Sequence, residues 1–186
     1  TGDGGTTHEL TLVVPGGGRS LAVTAEVLAA HGLEVVDAEV DLRPPGGMRA
    51  RMLVSTRFGD PVDPRVLRQD LRRAVDDLLP TPLRTTLERR VAEAPEFAQA
   101  PPSVLVGPRT DGEGTLLEVR TEDRPGLLAR IVAAVTNAGA RIDWVVVRTR
   151  GAAVEDVFAL SGACAALGLA REVESLLPRR EPATPS

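Results

Sequence analysis

The chain has 186 residues, of which 42% are hydrophobic, and it carries a formal net charge of -4. This length predicts one or two domains with a substantial apolar core. The negative net charge and an aromatic content of only 2% argue against a nucleic-acid partner. Its one cysteine, Cys164, excludes an internal disulfide, and with only His8 and His31 beside it we expect no Cys/His metal site.

The two ends of the chain are polar and carry no signal for a membrane. No apolar run reaches the length that spans a bilayer, and the first residues do not form a secretory signal. We therefore expect a cytoplasmic protein without a membrane partner. Residues 1–7 are predicted to be a disordered start, and residues 179–186, rich in proline and charge, a frayed tail.

The first predicted unit covers residues 8–81. An alternating strand leads through a glycine-rich turn, Gly16-Gly17-Gly18, into an amphipathic helix that ends at Gly32 as a C-cap. A strand over 33–42, a hairpin, a strand over 48–56 and a helix over 64–79 follow.

Residues 82–113 are predicted to be a connector, which starts with a helix and continues through a stretch rich in proline and glycine. Within it, the extended segment 103–107 is the candidate for a fourth strand that completes the first unit.

The second predicted unit, residues 114–178, repeats the first. Residues 21–43 align with 128–150 without gaps, and Gly139 takes the place of Gly32 at the end of the helix. The repeat predicts an α+β fold made of two ferredoxin-like βαββαβ units, with antiparallel sheets and helices on one face.

A strand-to-helix turn in the second unit is the strongest functional signal. It reads Thr121-Glu122-Asp123-Arg124-Pro125-Gly126-Leu127-Leu128. Asp and Pro suit the start of a helix, and Gly lets the backbone approach a small molecule where free N–H groups point outward. The turn therefore predicts an anion site. The first unit lacks the acid and the proline, so it either binds nothing or binds through backbone N–H groups alone.

Four stretches of the chain resemble the tandem ACT region of the bacterial PII uridylyltransferase/uridylyl-removing enzymes. They are residues 102–104, 115–119, 123–128 and 155–160. ACT domains are regulatory modules that sense small molecules. In the resembled family two ACT copies follow a nucleotidyltransferase domain and a hydrolase domain, and the effector is glutamine. Both catalytic domains are absent from this chain, so the resemblance implies a regulatory piece without catalytic residues.

The resemblance implies a ligand, partners and a site. Glutamine is the expected ligand, and the enzyme's own catalytic domains and the PII protein are the expected partners. No metal or cofactor is expected in this chain, because magnesium would serve only the missing catalytic domains. The ligand carboxylate would meet the amides of Gly126, Leu127 and Leu128, and its ammonium Asp123. Edge-to-edge pairing of the units would place the ligand at a seam along residues 142–147. The expected ligand-binding residues are therefore Asp123, Arg124, Pro125, Gly126, Leu127, Leu128 and Ile142.

Other interpretations of the same residues remain open. Asp123 alone is typical of a helix cap worth about 1 kcal/mol. The repeat could be a ligand-free scaffold whose sheet edges pair with a partner or in a homodimer, or a stand-alone sensor. The acidic pairs Asp76-Asp77 and Glu155-Asp156 are interpreted as solvated charges or strand-edge features.

Overall fold

The computed structural model describes residues 7–43, 47–56, 62–76, 79–94, 97–98, 101–111, 113–162 and 166–180. Some of the predictions concern residues outside these ranges, namely Cys164, Asp77 and residues 1–6 and 181–186. The elements in chain order are β1 (Thr7–Val14), α1 (Gly18–Ala30), β2 (Leu33–Asp41), β3 (Met48–Thr56), α2 (Pro64–Asp76), α3 (Thr81–Glu93), β4 (Phe97–Ala98), β5 (Ser103–Pro108), β6 (Thr115–Glu122), α4 (Leu127–Asn137), β7 (Arg141–Arg150), β8 (Ala153–Ser161), α5 (Ala166–Leu176) and β9 (Arg179–Arg180).

One antiparallel sheet of seven strands runs through both units, in the order β1-β3-β2-β7-β8-β6-β5. Its strands alternate between side chains that face the core and side chains that face away from it. In β3, for example, Met48, Ala50, Met52 and Val54 are all buried, and the residues between them point away from the core. The predicted α+β class with two ferredoxin-like units is confirmed. None of the helices in the described ranges is long and apolar enough to cross a membrane.

The two units join where β2 pairs with β7, which confirms the predicted seam. Glu39 pairs with Val146, and the gapless alignment of the repeat equates these same two residues. Register shifts in both strands, at Val36 in β2 and at Asp143 in β7, also fall on aligned residues. The seam therefore has a pseudo-two-fold axis, and each feature of one unit has a counterpart across it.

The core is shared between the units. One cluster of buried residues draws on both, including Leu21 and Met52 from the first and Val147 and Phe158 from the second. Helices α1 and α4 pack against each other across the seam. Burying this apolar surface, at about 25 cal/mol per Å², stabilises the pair of units as one body.

Strand β5 does not complete the first unit, contrary to the prediction. It pairs with β6 at the far edge of the second unit, and Val104 and Val106 pack against the core. The reason is proximity: the short turn to Thr115 closes a hairpin, in which the N–H of Arg109 donates to the carbonyl of Gly114 at 3.2 Å. A short loop costs less entropy to close than a crossing to β1.

The start of the predicted frayed tail is ordered. The backbone of Arg179–Arg180 forms β9, which pairs in parallel with Phe97–Ala98 in β4. This pairing ties the end of the second unit to the connector that follows α3.

Candidate functional site

The turn from β6 into α4 exposes backbone donors. Gly126 is the N-cap of α4 in the left-handed conformation, with φ of 74°, which only glycine adopts without strain. The N–H of Leu127 closes the turn by donating to the carbonyl of Arg124 at 3.1 Å. Within the described part of the chain, the N–H groups of Gly126 and Leu128 donate to no backbone carbonyl. Of the three amides predicted to hold an anion, that of Leu127 therefore donates to a backbone carbonyl, and those of Gly126 and Leu128 do not.

Gly126, the N-cap residue of α4, has no side chain and so makes no side-chain capping bond. Asp123 lies in the loop before the helix, where its N–H donates to the carbonyl of Ala152 at 2.8 Å. The interpretation of Asp123 as a helix cap stays a prediction, beside its predicted role in the ligand site.

A cavity of about 480 Å³ opens in front of the turn, at the seam between the units. The second unit contributes the turn itself and the facing parts of β7 and β8. The first unit contributes the end of α1 and the start of β2, and α3 closes one side. The residues that line the cavity are Ala25, Leu28, Ala29, Gly32, Leu33, Glu34, Val35, Arg90, Glu93, Ala94, Glu122, Asp123, Arg124, Pro125, Gly126, Leu127, Leu128, Val147, Thr149, Ala152, Val154 and Asp156. Its volume falls in the range of small-molecule sites.

Six of the seven predicted site residues, 123–128, line this cavity, and Ile142 does not. Ile142 lies buried near Gly18, at the other corner of the seam: its Cδ1 would be 3.8 Å from a Cβ built on Gly18. Ile142 aligns with Val35 in the repeat, and Val35 lines the cavity together with the turn of the second unit. The aligned position of the first unit therefore lies in the cavity wall, and that of the second unit lies outside it.

The glycine turn of the first unit is packed against the second unit at Gly18. A Cβ on Gly18 would lie 3.1 Å from Thr136 Oγ1, so α4 sits directly against the turn. The carbonyl of Gly17 accepts the N–H groups of Ser20 and Leu21, at 3.0 and 3.3 Å. This corner has side chains where its counterpart has a cavity, which favours the expectation that the first unit binds nothing.

Helix α3 contributes a wall of the cavity that the sequence analysis did not predict. Arg90 and Glu93 line the cavity, and Leu87 would lie 3.5 Å from a Cβ on Gly126. The Nε of Arg90 is buried and has no hydrogen-bond partner among the described residues. No side chain of α3 is fully buried, but Leu83, Leu87 and Val91 form an apolar stripe at helical spacing, and Leu83 and Leu87 pack against a buried cluster of the first unit.

The most unusual residue of the lining is Asp156 in β8. Its side chain is only 1% exposed, and its Oδ1 has no hydrogen-bond partner in the described ranges. Burial, and secondarily the nearby charge of Asp123, raises the pKa of Asp156 to about 8. The interpretation of Glu155-Asp156 as solvated charges is therefore wrong for Asp156. Its alternation with buried Val154 and Phe158 could have shown that it points inward.

The arrangement offers complementary groups to a small zwitterion. Amide donors at the positive end of the α4 dipole, with Arg90 and Arg124 nearby, suit a carboxylate. Asp123 and Asp156 suit a cation. No group of three His, Cys, Asp or Glu side chains in the described residues could hold a metal ion.

The fold and this cavity define a double ferredoxin-like module with one candidate ligand site at its seam. No family model matches the chain. Curated relatives do match, and each is named a bifunctional uridylyltransferase/uridylyl-removing enzyme. The protein of Streptomyces coelicolor is 36% identical over 159 residues, 81% of this chain and 19% of the relative. That of Rhodospirillum rubrum is 29% identical over 139 residues, 72% of this chain and 15% of the relative.

A third relative, from Mycobacterium tuberculosis, is 29% identical over 172 residues, which are 82% of this chain and 20% of the relative. The predicted resemblance to this enzyme family is thus confirmed over most of the chain. The chain spans a fifth or less of the length of these relatives.

Proposed function

We propose that this chain is the regulatory region of a bifunctional uridylyltransferase/uridylyl-removing enzyme and binds a free α-amino acid, with glutamine as the expected ligand. Binding would control the nitrogen-responsive uridylylation of the PII protein by catalytic domains that this chain does not contain. The sequence similarity to these enzymes supports the proposal that the chain is a region of such an enzyme. The cavity at the seam supports the proposal that the chain binds a small molecule.

The single observation that carries the ligand proposal is that the turn before α4 faces a cavity. The amides of Gly126 and Leu128 donate to no backbone carbonyl in the described residues and lie at the positive end of the α4 dipole, and a cavity large enough for an amino acid lies in front of them. In this proposal the amides receive the α-carboxylate and Asp123 helps to receive the ammonium. The ligand side chain would then lie against Glu34 and Val35 of the other unit.

The position of the cavity supports a regulatory role. Its walls come from both units and from α3, so a bound ligand touches three parts of the chain and could favour one arrangement of them. A ligand changes an equilibrium only if it binds one arrangement more tightly than another. A preference of about 1–3 kcal/mol would suffice for a several-fold to hundred-fold change in a linked activity.

The proposal is tested by calorimetry of this chain against a panel of the common amino acids. We expect binding in the millimolar range, about 4 kcal/mol, with glutamine the tightest. Ala29→Phe should abolish the heat, because Ala29 is a half-buried part of the cavity wall. Ala133→Phe is the matched control, the same change on the exposed face of α4. A folded wild-type chain that gives no heat with any amino acid would refute the proposal.

A ligand-free scaffold is the second candidate, and the free end of the sheet favours it. Strand β1 is the terminal strand, and Val13 on it is 74% exposed. A strand edge of this kind can pair with another chain, including a second copy. Sedimentation velocity tests the homodimer form of this scaffold: a dimer that forms without any ligand supports it, and a monomer at all concentrations removes it.

A further inference from the structure

The carboxyl group of Asp156 has no structural task that accounts for its position. In the sheet it lies between Val147 on one neighbouring strand and Val119 on the other, and both are buried. An unpartnered carboxyl group in such surroundings costs stability, and buried acids are otherwise paired. The one open direction is the cavity, whose wall Asp156 forms.

We propose that Asp156 is a specificity residue that receives the ammonium group of the ligand, so that the site selects molecules with a primary amine. This inference rests on the proposed function and adds to it the residue and the functional group that are recognised. Asp123 stands at the half-buried side of the cavity and Asp156 at its buried side. An ammonium between them would give both carboxylates a charge-assisted hydrogen bond.

This arrangement predicts that ligand binding releases a proton from Asp156. In the empty site at neutral pH, Asp156 holds a proton, because burial and the charge of Asp123 raise its pKa to about 8. When R–NH₃⁺ enters, the O–H bond of Asp156 breaks, the proton leaves to solvent, and the carboxylate pairs with the ammonium. The other charged groups that line the cavity are Glu34, Arg90, Glu93, Glu122, Asp123 and Arg124.

The test compares L-glutamine with 4-carbamoylbutanoate, which has the same carboxylate and amide but lacks the amino group. Wild type should prefer glutamine about 10- to 100-fold, the worth of a hydrogen bond to a charged group. Asp156→Asn should lose most of that preference, because only Asp123 then pairs with the ammonium, and should leave the weak binding of the analogue unchanged. Asp143→Asn, the change of a second buried aspartate outside the cavity, should keep it.

A second readout needs no variant. Calorimetry of wild type at pH 7 in buffers of different ionisation enthalpy should show release of about one proton for each glutamine bound. Glutamine binding that keeps its full preference in Asp156→Asn, or that releases no proton in wild type, would overturn this inference and leave the proposed function standing. A wild-type chain that binds no amino acid at all would overturn both.

Discussion

The buried position of Asp156 makes a specific prediction for the pH dependence of folding. In the folded chain its pKa is raised to about 8, from the ordinary value of 3.8 that it regains on unfolding. Between these values the folded chain holds a proton that the unfolded chain has released. The contribution of Asp156 to the free energy of unfolding is therefore fully present below pH 4 and is lost as the pH rises through about 8. Between these pH values the loss is about 1.4 kcal/mol for each pH unit.

Asp156→Asn removes this dependence, because asparagine fills the same space and does not titrate. We expect the free energy of unfolding of the variant, minus that of wild type, to increase by about 1.4 kcal/mol per pH unit from pH 5 to pH 7. Urea unfolding at each pH, followed by circular dichroism, measures the difference directly. All other titrating groups are common to both chains, so their contributions largely cancel.

Asp143→Asn is the control for this measurement. Asp143 is also buried, but its carboxylate accepts hydrogen bonds from Arg109 at 2.8 Å and from Ser161 at 2.7 Å. Its replacement should destabilise the chain by about 1–3 kcal/mol, because it breaks existing bonds. A difference between Asp156→Asn and wild type that stays constant from pH 5 to pH 7 would refute the account of Asp156 as a proton-holding buried acid.

Three further substitutions test other parts of the structure. Gly126→Ala and Gly139→Ala each force alanine into the left-handed region, at φ of 74° and 78°, and each should lower stability by about 1–2 kcal/mol in thermal unfolding; only Gly126→Ala should also weaken ligand binding. Equal ligand affinity in the two variants would show that the turn is not part of the ligand site. Asp123→Ala should weaken glutamine binding with little loss of helicity by circular dichroism, because Asp123 lines the cavity and lies outside the helix; unchanged affinity would place the ligand site elsewhere. Leu21→Ala, in the shared core, should cost about 2–5 kcal/mol in urea unfolding, and a loss below 1 kcal/mol would contradict its full burial.

The parts of the fold that local rules determine could be predicted from the sequence. Gly32 and Gly139 both end their helices with positive φ, as their C-cap positions predicted. The duplicated pattern placed the seam strand correctly, because two strands of the same alternation meet at a pseudo-two-fold axis. The hairpin of β5 with β6 was missed, since the extended pattern of residues 103–107 does not say which edge the strand joins.

The parts of the site that depend on tertiary placement could not be predicted in the same way. The choice between Ile142 and Val35 required knowing which corner of the seam is open, and packing of Thr136 against Gly18 decides it. Helix α3 has an apolar stripe, Leu83, Leu87 and Val91, which predicts packing but not the surface that the helix covers, so its pattern did not place Arg90 over the cavity. Asp156 was visible in the alternation of β8, but its lack of a partner appears only when the neighbouring strands are in place.

The central claim is that a zwitterion binds at the seam beside the turn of the second unit. An amide NMR titration of this chain with glutamine tests it residue by residue. The account predicts concentration-dependent shifts at Gly126, Leu128, Val35 and Asp156, with Gly18 and Ile142 at the closed corner unaffected. Shifts confined to the corner of Gly18, or no shifts at millimolar glutamine in a folded chain, would contradict it.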